Sequence, residues 1–147
     1  MTVRKSVSDL VTDQHVHIAK LLDEVVETAG EARRNAFGEL CRMLEVHEAA
    51  EREVLHPVAE AARSGVVEAR LSEQNQLRRQ LDELRDQDVN DAAFVDAFAE
   101  LRRTVQEHLA AVEREELPLV RDAGDEAEQL RLATAMRAVE DRLVRDA

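Results

Sequence analysis

The sequence predicts an all-α fold, an up-down-up-down four-helix bundle with an additional C-terminal helix. Composition is the first reason: the chain has 4 Gly and 2 Pro among 147 residues, so turn formers are few and helix formers many. Periodicity is the second, because apolar residues recur at three- and four-residue steps through five segments. The connections between these segments are short, which favours antiparallel neighbours.

The five predicted helices are separated by helix-ending residues. The first stops at Gly30, a residue type that commonly ends helices. Pro57 is expected to bend the second helix, which Gly65 closes, and Pro118 lies near the end of the fourth. Gly124 separates the fifth. The predicted helices cover residues 6–29, 31–63, 66–85, 90–122 and 125–146.

The fifth helix follows the bundle, which is predicted to span residues 6–122. One of its faces is apolar and is expected to pack across the bundle or to support a homodimer. This face consists of Leu132, Met136, Val139 and Leu143. A chain of 147 residues with 44% hydrophobic content fits a single domain over residues 1–147.

Charge and cysteine content exclude several classes of function. The formal net charge is -12, and without a basic patch we expect neither nucleic-acid binding nor binding to an anionic membrane. Cys41 is the one cysteine and cannot form an internal disulfide. No N-terminal apolar run resembles a signal peptide, so we expect a cytoplasmic protein.

The apolar faces of the second and fourth helices carry ionisable residues at matching places. His47 and Glu51 interrupt the second helix, and His108 interrupts the fourth at the place of His47. The first and third helices align His15 and Gln74 with their own apolar positions. The two longer seams run Phe37, Leu40, Leu44, His47, Glu51, Val54, Val58 and Phe98, Leu101, Val105, His108, Val112, Glu115, Leu119.

A metal ion would explain such a polar layer, since burying an unpaired imidazole or carboxylate is costly. His47 and Glu51 lie about 40° apart around an ideal helix and can face one ion. His15 and His47 lie equally far from the turn that joins their helices and should meet. Gln74 lies closer to its turn than His47 does, so that pair is predicted to match poorly in height unless the second helix deviates after Pro57. Imidazole and carboxylate together suit iron, manganese or zinc.

A metal-free interpretation of the same residues is a network of buried hydrogen bonds. His17 lies about 200° from His15 around the helix and is predicted to be a surface residue. His56 lies about 180° from His47 and is expected to be partly exposed. Cys41 lies outside the seam and is interpreted as an inert thiol.

Three segments resemble hemerythrin-like proteins, the HHE cation-binding family. They are DQHVHI at residues 13–18, HEAAEREVLHP at 47–57 and HLAAVEREELP at 108–118. In that family each half of the bundle has a histidine followed four residues later by a carboxylate and ten residues later by a proline. His47, Glu51 and Pro57 match this motif in full. The resemblance covers residues 6–122.

The resemblance implies a four-helix bundle around a di-iron centre with bridging carboxylates. Carried over, it makes His15, His47, Glu51 and His108 metal ligands. Gln74 and Val112 stand where the family has ligands, so the di-iron set is expected to be incomplete and a single ion is favoured. The auxiliary ligands are Glu48, Gln74 and Glu115, whereas Glu113 faces away from His108 and is a poor substitute.

Two functions remain open after this comparison. The first is a non-haem iron protein acting in O2 or NO sensing, iron handling or peroxide removal, with a diatomic molecule or peroxide as its partner. The second is a metal-free helical bundle serving as an interaction module. An enzyme is less expected than a binding protein, because no spacing of nucleophile and base is visible.

Overall fold

A computed structural model describes residues 5–146, which form five helical rods and no strand. The fold is the expected helical bundle with a further C-terminal helix. Three rods are regular, and two contain one π-helical turn each. The regular rods are α1 (Val7–Glu27), α3 (Glu68–Arg85) and α5 (Glu126–Asp146). Rod α2 comprises Gly30–Ala50, the π turn Glu51–Leu55 and His56–Ala62, and rod α4 comprises Ala92–Ala111, the π turn Val112–Glu116 and Leu117–Asp122.

The two π turns occupy equivalent places, each ending two residues before a proline. The amide of His56 donates to the carbonyl of Glu51, and the amide of Leu117 donates to that of Val112, both across five residues. Proline lacks an amide proton, and its ring crowds the preceding turn, which accounts for a local widening of the helix. The expected bend at Pro57 is therefore a π turn.

Each π turn shifts the inward face of its rod by one residue. In α2, Leu55 and Ala59 are buried where an unbroken helix would bury Val54 and Val58. In α4, Glu116 and Val120 are buried where Glu115 and Leu119 were expected. The predicted seams hold up to residues 51 and 112 and are wrong beyond them.

The hydrophobic core consists of two clusters separated by polar residues. The first lies near the α1–α2 and α3–α4 connections and includes Leu22, Leu40, Leu81 and Phe94. Phe94 contacts Phe37 edge to face at 5.1 Å between ring centroids. The second cluster lies at the other end and includes the following residues: Val11, Leu55, Val112, Leu117 and Met136. Both clusters are apolar, so each closes off one side of the polar layer between them.

Helix α5 packs against the bundle, the first of its two expected arrangements. Leu132, Met136 and Val139 are buried in the second cluster, and Leu143 lies at its margin. The helix contacts α1 and both the regular part and the π turn of α2. Among residues 5–146, no helix is long and apolar enough to cross a membrane.

Candidate metal centre

The polar layer between the two apolar clusters is built from all four bundle helices. Every side chain in it is at most 5% exposed. It contains His15 from α1, Gln74 from α3 and His108 and Glu116 from α4, with the remainder from α2: His47, Glu48, Glu51 and His56.

One group of three ligands joins α1 to α2. The Nε2 atoms of His15 and His47 lie 3.2 Å apart, and Glu51 Oε1 lies 3.5 Å from His47 Nε2. One ligand atom from each of the three residues lies within 4.8 Å of the others. Such a separation allows one cation to contact all three.

A second group of three ligands joins α2 to α4. His108 Nε2 lies 3.0 Å from Glu48 Oε2 and 3.7 Å from Glu51 Oε1. Glu48, Glu51 and His108 also offer ligand atoms within 4.8 Å of one another. Glu51 therefore belongs to both groups and could contribute a ligand oxygen to a cation held by either one.

Several atoms of these two groups are buried without a hydrogen-bond partner among the described residues. They are both carboxylate oxygens of Glu51, one oxygen of Glu48 and Nδ1 of His15. Leaving a buried charged or polar group unpaired costs on the order of 1 to 3 kcal/mol or more. A cation within the layer would satisfy the carboxylate oxygens, so the residues present fit a metal.

The protonation of the layer follows from its burial. Burial lowers the pKa of His47 to about 3, against the attraction of Glu48, so this ring is neutral at physiological pH. Burial and the neighbouring charge of Glu48 raise the pKa of Glu51 well above its ordinary value. Burial and the charge of Glu48 thus outweigh the attraction of His108, whose Nε2 lies 3.7 Å from Glu51 Oε1.

Glu48 and His108 form an ion pair in the metal-free layer. Burial alone would raise the pKa of Glu48, but the hydrogen bond and charge of His108 lower it to about 2. Burial likewise opposes the charged form of His108, but hydrogen bonds to Glu48 and Glu73, together with the nearby carboxyl group of Glu51, raise its pKa to about 12. A cation beside Glu48 would replace the proton on His108 Nε2.

Two of the three histidines have a hydrogen-bond partner for their other ring nitrogen, and the third has a carboxylate near it. His47 Nδ1 lies 2.7 Å from Gln14 Oε1, and His108 Nδ1 lies 2.7 Å from Glu73 Oε1. His15 Nδ1 lies 3.5 Å from Glu113 Oε2, too far for a hydrogen bond but close enough for attraction. Partners at Nδ1 leave Nε2 free to bind a metal, the usual arrangement around metal-binding histidines.

His56 is buried and not partly exposed as expected. Its Nδ1 is hydrogen-bonded to Glu116, and its Nε2 lies 3.4 Å from Gln74 Oε1. Gln74 in turn donates to Glu48. The spacing of an unbroken helix pointed to neither His56 nor Glu116. The proline that follows ten residues after His47 and again after His108 was the signal that could have revealed them.

The auxiliary residues divide into two sets. Glu48 and Gln74 lie inside the layer, and Gln74 donates a hydrogen bond to Glu48. Gln74 therefore reaches the residue next to His47, in spite of the mismatch in height that was predicted. Glu115 lies outside it, because the π turn rotates it outward, where it pairs with Arg70 and is 41% exposed. Val112 is buried among apolar residues and offers no ligand atom. Glu113 faces away from His108 but lies near His15, with 3.5 Å between Glu113 Oε2 and His15 Nδ1.

The remaining predictions about single residues agree with the structure. His17 is exposed on the outer face of α1. Cys41 is buried, and burial raises the pKa of its thiol, which disfavours the nucleophilic thiolate form.

A cleft between α2 and α3 reaches the layer from the surface. Its volume is about 180 Å³. Glu48 and Gln74 form its inner end, and Arg52 and Arg78 are among its outer residues. A few water-sized molecules fit in this space, so small molecules can reach the Glu48 side of the layer.

Comparisons with known proteins agree with this geometry. The model of the hemerythrin HHE cation binding domain matches residues 6–120. No curated protein matches the sequence significantly. Among solved structures, the chain is similar to a hemerythrin HHE cation binding domain-containing protein from Mycobacterium kansasii, at 21% identity and a TM-score of 0.85, covering 95% of this chain and 87% of that one. That likeness extends into α5, beyond the residues that the family model matches.

Proposed function

Since the chain belongs to the hemerythrin HHE cation-binding domain family, we propose that its polar layer holds two divalent metal ions bridged by Glu51. The observation that carries this proposal is the carboxylate of Glu51. It is fully buried, neither of its oxygens has a hydrogen-bond partner among residues 5–146, and it is common to both groups of ligands.

Six ligand positions serve the two ions, with Glu51 counted in both. His15, His47 and Glu51 hold the first ion, and Glu48, Glu51 and His108 hold the second. The expectation of a single ion depended on the absence of ligands at Gln74 and Val112. Glu48 compensates for that loss, because it lies next to His108 and brings a second carboxylate into the layer.

Iron is the proposed metal. The ligand atoms are imidazole nitrogens and carboxylate oxygens, a combination that suits iron, manganese and zinc and does not select the thiolate-preferring metals. A cytoplasmic location is also part of the proposal, and it is supported by the single cysteine, Cys41.

The proposed ligand of the centre is dioxygen, nitric oxide or peroxide. Each ion has three protein ligands, which leaves coordination positions free, and the cleft at Glu48 has room for molecules of this size. When bound, iron supplies redox chemistry and Lewis acidity toward such molecules. The protein's own residues exclude bulk water from the layer and orient the imidazoles. Sensing, iron handling and peroxide removal are the roles within this proposal.

The alternative, a metal-free interaction module, is less well supported. A polar network that fixes helix register should satisfy its own buried atoms, whereas Glu51 leaves both oxygens unpaired. The experiment below also decides between the two.

The test is metal content after anaerobic loading with ferrous iron and removal of excess metal. We expect two iron ions per chain in the parent and a large loss in Glu51→Ala, because both ions share this residue. Glu53→Ala is the matched control, since Glu53 lies two residues away and is half-exposed, in contact with Arg142. A parent without bound metal, whose thermal melting is unchanged by chelator, would support the interaction module instead.

Oxygen, nitric oxide and peroxide are then added separately to the iron-loaded protein. Optical changes with the first two and no oxygen release from peroxide would indicate sensing. Sustained oxygen release from peroxide would indicate peroxide removal.

A further inference from the structure

Gln14 connects the metal centre to helix α5. It precedes His15 in α1, and its side chain lies between α2 and α5. Gln14 Oε1 lies 2.7 Å from Nδ1 of His47, and Gln14 Nε2 donates to Glu140 Oε2 at 2.7 Å. A continuous path of hydrogen bonds thus runs from Glu140 through Gln14 to His47.

The chemistry of Glu140, Gln14 and His47 determines which atom donates and which accepts in each hydrogen bond of this path. An ionised carboxylate only accepts hydrogen bonds, so Glu140 requires the amide nitrogen of Gln14 to face it. The amide oxygen of Gln14 must then face His47. An oxygen acceptor at that place requires the proton of His47 to be on Nδ1, which leaves the lone pair of Nε2 directed toward His15 and Glu51.

We propose that Gln14 and Glu140 are positioning residues that fix His47 in its Nδ1–H form and hold its Nε2 toward the first metal ion. This inference rests on the proposed metal centre and deepens it. It makes helix α5 a functional part of the centre, although α5 lies beyond residues 6–120 that the family model matches.

Helix α5 is held firmly enough to serve this purpose. Met136, one helical turn before Glu140, is fully buried in the second apolar cluster. Val139, the residue before Glu140, is buried in the same cluster. The apolar contacts of α5 on both of these residues therefore set the position of Glu140 relative to Gln14.

The first test is a double-mutant cycle on metal affinity. Cobalt(II) is used as the probe, with chelator competition for affinity and the visible absorption of the bound ion for geometry. Gln14→Leu should weaken binding roughly 10- to 100-fold, as expected for loss of a residue that orients a ligand. Glu140→Ala should weaken it by a smaller factor and change the absorption band.

The two substitutions should not add. If Glu140 acts through Gln14, Glu140→Ala has no further effect in the Gln14→Leu background. Glu140→Gln keeps an oxygen acceptor and should restore most of the affinity. Arg142→Gln, which removes a surface ion pair from the same helix, is the matched control and should bind cobalt like the parent. Additive losses, or an equal loss in Arg142→Gln, would overturn the proposal.

The second test does not need bound metal. Long-range proton–nitrogen NMR of the metal-free protein reports which ring nitrogen of His47 carries the proton. We expect the Nδ1–H form in the parent and in Glu140→Gln, and a mixture of both forms in Gln14→Leu. An Nε2–H form in the parent would overturn the inference. A parent in the Nδ1–H form that binds no metal would sink the proposed function while leaving the hydrogen-bond path intact.

Discussion

His47 has two ring nitrogens in different surroundings, and this difference defines its role. Nδ1 is hydrogen-bonded to Gln14, whereas Nε2 faces His15 and Glu51 with no proton donor other than His15. His108 shows the same division, with Glu73 at Nδ1 and the carboxylates of α2 at Nε2. Arg70 holds Glu73 in place through two contacts of 2.8 Å. The site is thus oriented from outside by polar residues that do not themselves face the ions.

The first prediction compares two histidines. His47→Ala should remove the ion held with His15 and Glu51, so that iron content falls from two to at most one per chain. His17→Ala should leave it unchanged, because His17 is exposed on the opposite face of α1. Metal content and melting with and without chelator measure both. Equal losses in the two variants would contradict the assignment of His47.

The second prediction concerns the pH dependence of the metal-free protein. The pKa of His47 is lowered by burial from 6.5 to about 3. Below pH 6.5 the unfolded chain binds a proton that the folded protein does not, so the parent loses stability relative to His47→Gln as pH falls. The slope is at most about 1.4 kcal/mol per pH unit. Urea unfolding in chelator between neutral and mildly acidic pH measures it, and parallel curves for the two proteins would refute it.

At the scale of the helix, the π turns decide which acids face the layer. Each adds one residue to its turn, so Glu116 replaces Glu115 inside the bundle and His56 becomes buried. Regular periodicity predicted His15, His47, Glu51 and His108 at their places. His47 and His108 precede the π turns, Glu51 begins one, and α1, which carries His15, is a regular helix. Periodicity could not predict the residues that follow a π turn, since a shift of one residue is not visible in a pattern of three- and four-residue steps.

Helix ends could be predicted from the sequence, whereas the relative positions of two helices could not. The ends of the helices were predicted within a few residues, because glycine, proline and capping residues act locally. The contact between Gln74 and Glu48 depends on the axial offset between α3 and α2. This offset is set by side-chain packing between distant segments, so counting residues from a turn did not predict the contact.

The third prediction concerns helix α5. Met136 is fully buried, so Met136→Ala should lower the free energy of unfolding by about 2 to 5 kcal/mol. Val144 lies on the same helix and is 64% exposed, and Val144→Ala should change stability by less than about 0.5 kcal/mol. Urea unfolding of both variants gives the comparison. A small effect of Met136→Ala would mean that α5 is not docked on the bundle as described.

At the scale of the molecule, two apolar clusters enclose a layer of histidines and carboxylates. Burial of the two clusters stabilises the fold and shields the layer from water. The desolvated charges and unpaired oxygens of the layer offset part of that stabilisation. A protein of this size has a net stability of only about 5 to 15 kcal/mol. Ions that bind the folded protein alone would offset this cost, and they would add about 2.7 kcal/mol at one hundred times their Kd.

Anomalous diffraction would show whether two ions share Glu51. Crystals of the iron-loaded protein, measured on either side of the iron absorption edge, locate each ion and identify it as iron. We predict two anomalous peaks per chain, one among His15, His47 and Glu51 and the other among Glu48, Glu51 and His108. Peaks away from these residues, or no peak in crystals grown from loaded protein, would show that Glu51 does not join two ions.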